Sequence, residues 1–82
     1  MYYVYVLKSV KDGMYYVGKT SDLRKRFEEH NKGRVPSTKN RLPLLLVYYE
    51  ASRSSKDAAH RELYLKTAWG KRFLKQRTKN DI

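Results

Sequence analysis

Cysteine is absent from this 82-residue chain. That excludes a disulfide scaffold, a thiolate zinc site and thiol catalysis. Acidic residues are scarce: 8 Asp+Glu stand against 19 Lys+Arg, giving a formal net charge of +11 and a pI of about 10.0. Such a balance favours a polyanionic partner, most often nucleic acid. Long apolar runs are missing too. No stretch approaches the roughly 20 apolar residues of a membrane span, and the first residues do not read as the apolar segment of a secretory signal. A soluble, cytoplasmic protein with no membrane role is expected. The sequence also lacks a Walker loop, a Cys/His zinc spacing and a Ser/His/Asp set. Its length suits one domain, 1–82, burying roughly 60–65% of its unfolded surface around one modest core.

The positive charge is unevenly spread. Residues 21–41 hold seven basic and three acidic residues, residues 42–52 hold only Glu50, and residues 70–82 hold five basic residues and Asp81. Two basic segments therefore flank a neutral, apolar middle.

Period and punctuation predict the elements. Tyr2 to Leu7 is a continuous β-branched and aromatic run, a strand covered on both faces. Lys11-Asp12-Gly13 is turn chemistry, and Met14 to Lys19 returns as a second strand. Ser21 or Asp22 caps a first helix that Gly33 closes. Lys32 to Arg41 reads as a polar basic loop, and Pro43 to Glu50 as a third strand, apolar enough to lie centrally. Ser54 or Ser55 caps a second helix to about Ala68, which Gly70 ends, and residues 71–77 form a short basic helix. The order ββαβαα predicts an α+β fold with an antiparallel sheet and helices packed against it.

Tyrosines number eight against two phenylalanines. Only tyrosine adds a titratable hydroxyl to β propensity. Tyr3 and Tyr5 share one strand face, and Tyr16 shares a face with Gly18. A hairpin loop of four or six residues sets Tyr5 opposite Tyr16, whereas a two-residue loop pairs Tyr16 with Ser9 and separates the phenols. The plainer reading is that these rings fill a small core with their tips in water.

On the first helix Arg26 and His30 lie one turn apart beside the Leu23–Phe27 stripe. They could hold a phosphate and move a proton, or simply edge a solvated basic face. On the second helix Leu65, Ala58, Trp69, Ala59 and Leu63 define an apolar arc of about 160°, with Glu62 in its middle and Lys66 beside it. A carboxylate there calls for a partner, which is either a divalent cation or Lys66. Lys19 closes the second strand, where it could lower a tyrosine pKa, contact phosphate or guard a sheet edge.

Tyr3-Val4-Tyr5, Tyr16-Val17-Gly18, Arg26, His30-Asn31, Gly33 and a later helical Glu62 together resemble the GIY-YIG nuclease domain, over roughly residues 2–77. The likeness is closest to small standalone bacterial members. It implies a three-stranded antiparallel sheet flanked by helices, and metal-dependent hydrolysis of DNA phosphodiesters. Tyr5 and Tyr16 match the motif tyrosines, one of which activates water, and Arg26 matches the arginine that stabilises the phosphate. Glu62 matches the carboxylate that holds Mg²⁺ or Mn²⁺, while His30 and Lys19 match positions often basic in the family. Tyr3 stands where the family has glycine, and Asn80 is the sole candidate for a terminal asparagine seen in some members.

The expected activity is that of a structure-directed DNA endonuclease in repair or recombination. Its expected DNA contacts are Arg24, Lys25, Arg34, Lys39, Arg41, Lys71 and Arg72. It is expected as a monomer or transient dimer, guided by a targeting protein. Use of a phenol as base requires a pKa well below about 10. A catalytically silent nucleic-acid-binding module and an RNA-associated structural protein are the rival readings.

Overall fold

A computed structural model of the chain describes residues 1–80. The elements follow in the order β1 (Tyr2–Ser9), β2 (Tyr15–Thr20), α1 (Leu23–Asn31), β3 (Leu44–Ser52), α2 (Ser55–Leu65) and α3 (Ala68–Arg77). The strands form one antiparallel sheet in the order β2-β1-β3. This is the α+β architecture expected from the element order. No helix among the described residues is long and apolar enough to cross a membrane.

Local chemistry sets the ends. Asp22 caps α1 by accepting the Lys25 amide at 3.1 Å, and Gly33 follows the helix at φ +73°. Ser54 caps α2 by accepting the Asp57 amide at 3.2 Å. In the β1–β2 turn Gly13 takes φ +71°, and Asp12 accepts the Met14 amide at 2.8 Å.

The central strand is β1, with Val4, Tyr5, Val6 and Leu7 all buried. The expectation that β3 lies centrally is corrected. It is an edge strand that leaves Leu45 and Tyr49 exposed, and its apolar content serves two half-covered faces rather than a sheet interior. A bulge opposite Val6/Leu7 lets Val47 and Tyr48 both join the α2–α3 side.

Alternation along the strands divides the core in two. On one face Val4, Val6 and Val17 pack with Ala58 and Leu65 of α2 and Leu74 of α3. On the other, Tyr5, Leu7 and Leu44 pack with Tyr16 and with Leu23 and Phe27 of α1.

The second helix is shorter than its periodicity suggested. It ends at Leu65, and Thr67 caps a new helix by accepting the Gly70 amide at 3.1 Å. Gly70 therefore lies inside α3 instead of ending α2, and it is buried. A Cβ there would collide with the backbone of Tyr64 and Leu65, so glycine is what allows the two helices to fold together. The break turns Trp69 out of the arc, leaving it 67% exposed, while Leu63, within α2 at the arc's edge, is 66% exposed.

Candidate active site

The β1–β2 turn closes between Ser9 and Met14, whose backbones pair at 3.0 Å, and Tyr5 consequently faces Gly18 while Tyr16 faces Leu7. The loop has four residues, 10–13, yet the phenols are diagonal neighbours, so the expectation that such a loop sets Tyr5 opposite Tyr16 is corrected: pairing Ser9 with Met14 carries Tyr5 to Gly18. Their ring centroids are 6.4 Å apart. The register explains Gly18. A Cβ at that position would lie 2.5 Å from Cζ and Oη of Tyr5, so the glycine leaves the notch in which the phenol lies.

α1 brings Arg26 and His30 to the same face. Tyr5 Oη and His30 Nε2 are 2.8 Å apart, and His30 Nδ1 and Thr38 Oγ1 are also 2.8 Å apart. Both His30 and Thr38 are fully buried. The Tyr16 ring stands edge-on to His30 at 5.1 Å. Both imidazole nitrogens face hydroxyls, which suits a neutral ring in either tautomer. Burial, with the nearby Arg26 charge second and Glu29 opposing, lowers the His30 pKa to about 4.

Burial also pushes the Tyr5 phenol above its usual range, opposed by the nearby positive charge of Arg26. Charges on Tyr16 and Glu62 add to the rise. This reverses the expected depression, because desolvation of the phenolate outweighs one guanidinium. Arg26 is itself pushed up by the Tyr5 oxygen and paired with Glu29 at 3.3 Å.

Glu62 comes from the helix on the opposite sheet face, yet lies near enough for its charge to act on Tyr5. Tyr16 and Val17 stand on β2, an edge strand of the sheet. A 280 Å³ cleft there is lined by Tyr15, Tyr16, Val17, Leu65, Lys66, Lys71 and Leu74. The exposed Lys66 ammonium reaches Glu62 at 3.2 Å. Among the described residues no three His, Asp or Glu side chains cluster. One partly exposed carboxylate is a hard oxygen donor, which fits a divalent ion whose shell is completed by water and substrate phosphate. It does not fit an all-protein cage.

Lys19 bonds to Ser55 at 3.3 Å and, with Lys25 and Arg26, lines a second cleft of 350 Å³ along the same edge. No hydrogen bond among the described residues joins Lys19 to a phenol. Arg24, Lys25, Arg34, Lys39, Lys71 and Arg72 are exposed. Arg41 is committed elsewhere, donating to Asp12 and to the Met14 carbonyl at 3.0 Å each. Tyr3 fits because its ring packs against Tyr49, tilted by 60° with centroids 6.2 Å apart, and both line an apolar hollow. Asn80 is exposed in the C-terminal turn.

Thr38 is the site residue that sequence reasoning missed. Asn31 is a supporting one: its amide accepts from Leu44 N at 2.9 Å and donates to Leu44 O at 3.0 Å, tying α1 to the start of β3.

The GIY-YIG catalytic domain profile matches residues 1–78. The chain belongs to the GIY-YIG family. The GIY-YIG segment resembles a UPF0213 protein of Streptococcus pneumoniae, 42% identical over 65 residues that make up 78% of this chain and 65% of that protein. A UPF0213 protein of Clostridium perfringens is 43% identical over 67 residues, 80% of this chain and 71% of its own. One from Staphylococcus saprophyticus is 39% identical over 75 residues, 90% of each chain. The match thus spans just under two thirds of the pneumococcal relative. No solved structure matches.

Proposed function

We propose that this GIY-YIG protein is a cytoplasmic, metal-dependent endonuclease that hydrolyses DNA phosphodiesters, directed by DNA structure in repair or recombination. In this reading it acts as a monomer or transient dimer, brought to its substrate by a targeting protein. The observation that carries the proposal is the buried Tyr5–His30–Thr38 chain, whose open end meets Arg26 at the Gly18 notch. A histidine that merely fills the core needs neither the notch nor the arginine.

Hydrolysis joins a water oxygen to phosphorus, breaks the bond to the leaving sugar oxygen, removes a proton from water and gives one to the leaving oxygen. Arg26 holds a non-bridging phosphate oxygen and neutralises charge that grows in the transition state. Tyr5 Oη takes the proton from water as its own passes to His30 Nε2. Thr38 accepts from Nδ1–H and fixes the tautomer that leaves Nε2 free to receive it. At rest a raised phenol and a weakly basic imidazole oppose this transfer. A phosphate against Arg26 offsets the charge that depresses His30, so the relay strengthens as substrate arrives. Tyr16, lining the cleft, supplies the proton to the leaving oxygen. A divalent cation such as Mg²⁺ or Mn²⁺, held by Glu62, would supply Lewis acidity and a more acidic water.

The test is cleavage of a labelled panel of DNA structures with Mg²⁺ or Mn²⁺, using wild type and Glu62→Gln side by side. Cutting by wild type alone is expected, with folding and DNA binding nearly unchanged in the variant. Retained cutting by Glu62→Gln rejects the metal assignment. Binding without cutting by either protein replaces the nuclease with a nucleic-acid-binding module.

A further inference from the structure

Trp69 is the only tryptophan in the chain and, at 67%, the most exposed large apolar side chain among the described residues. Its outward position is built. Thr67 fixes the first turn of α3, donating to the Tyr64 carbonyl at 2.6 Å as well as capping the helix. Gly70 presses against α2 and so turns its neighbour away from the core. The Arg72 guanidinium lies 5.0 Å from the indole centroid, steadying the ring and leaving most of it open.

The surroundings are of one sign. Between residues 63 and 80 there is no acidic residue, whereas Lys66, Lys71, Arg72, Lys75, Arg77 and Lys79 are basic. Lys66 and Lys71 line the Tyr16 cleft, and Lys71 continues with Lys75 and Lys8 into an adjoining cleft of 410 Å³. At 100° per residue Lys71, Lys75, Arg72 and Trp69 follow one another round the solvent side of α3, so a cationic band leads from the Tyr16 cleft across Arg72 to the exposed indole. Lysines beside an open aromatic face are what an unpaired strand uses: phosphates on the cations, a base on the ring. A duplex shows base edges in its grooves and exposes base faces only at its ends.

We propose that Trp69 is a base-stacking residue for single-stranded DNA, whose phosphates follow Lys66, Lys71 and Lys75. This rests on the DNA reading above and narrows its substrates to those with an unpaired strand beside the cut.

The test is run in EDTA, so it does not depend on whether any DNA is cut. The lone tryptophan is itself the probe. Fluorescence is titrated with a dT oligonucleotide, a blunt hairpin duplex and an rU oligonucleotide, and labelled-oligonucleotide anisotropy is repeated for Trp69→Ala and Trp69→Phe after circular dichroism confirms their folding. Quenching by dT but not by the duplex is expected, with roughly a tenfold affinity loss for dT in Trp69→Ala. Trp69→Phe should stay within about threefold of wild type and duplex affinity within about twofold, since the phosphate contacts persist. Unchanged dT binding by Trp69→Ala, or equal quenching by the duplex, overturns the proposal. So does tighter binding of rU than of dT. A dimer that Trp69→Ala converts to monomer would reassign the surface to a second copy. In Mg²⁺, cleavage of a fully paired duplex as fast as of a substrate with an unpaired strand overturns the narrowing of substrates, whatever the dT titration shows.

Discussion

The two faces of the sheet use the same strands for different ends. The α2–α3 face is dry, with Val4, Val6, Leu65 and Leu74 at 2% exposure or less. The α1 face buries about as deeply but places Tyr5, His30 and Thr38 among its apolar side chains, each hydrogen-bonded. No buried side-chain polar atom among the described residues lacks a partner. The difference teaches where freedom to evolve chemistry lies in so small a domain: one face supplies cohesion, which lets the other carry polar groups that add little to it.

Substitutions should split along the same line. The largest effect expected is on activity: Tyr5→Phe should lower single-turnover cleavage by about 10²–10⁴-fold while costing about 1–3 kcal/mol in stability, since His30 loses one partner. A fall in cleavage no larger than the unfolded fraction explains would place Tyr5 with the merely structural residues. Leu65→Ala should do the reverse. Truncating a fully buried side chain costs about 2–5 kcal/mol in urea denaturation, yet cleavage per folded molecule should hold.

Acid should act through the α1 face. Between the pH values of 6.5 and about 4, an unfolded histidine binds a proton that folded His30 refuses. Stability should therefore fall as pH drops through that window, by at most about 3 kcal/mol, and level off below it. Urea midpoints measured from about pH 7.5 to about pH 4.5, for wild type and His30→Gln, test this. Parallel pH profiles would remove His30 as the cause. The smallest effect belongs to the polar cluster beside the dry core, where Glu50 takes Arg61 Nε at 2.9 Å and the Tyr48 hydroxyl at 2.8 Å. These groups are partly exposed, so Glu50→Gln should cost about 1 kcal/mol or less and leave cleavage untouched.

Much of this was legible from periodicity. Alternation sets Tyr5 beside Tyr3 and Tyr16 beside Gly18, and helical spacing sets Arg26 beside His30, because each depends on local geometry alone; how Tyr5 and Tyr16 meet waits on the hairpin register. Thr38 was not legible. Residues 32–41 look like a solvated loop, and the burial of Val35 and Thr38 depends on how that loop crosses α1. Trp69 belongs to the apolar arc only of a helix that runs straight through Thr67, and the cap at Thr67 breaks that helix. The hydrophobicity of β3 suggested a central strand, but edge position is set by strand order, which composition does not encode.

The Asn31 amide meets the backbone of Leu44 as a neighbouring strand residue would, one donor and one acceptor in register. At its other end α1 is held by Asp22, whose amide donates to Thr20 Oγ1 at 3.1 Å. A helix stitched at both ends to the sheet has little room to slide or roll. The guanidinium and imidazole it carries are therefore set at fixed heights above the phenol, like jaws in a locked vice. On the nuclease reading, any strand that enters must be bent to them, and selection among substrates becomes a matter of how readily each one bends.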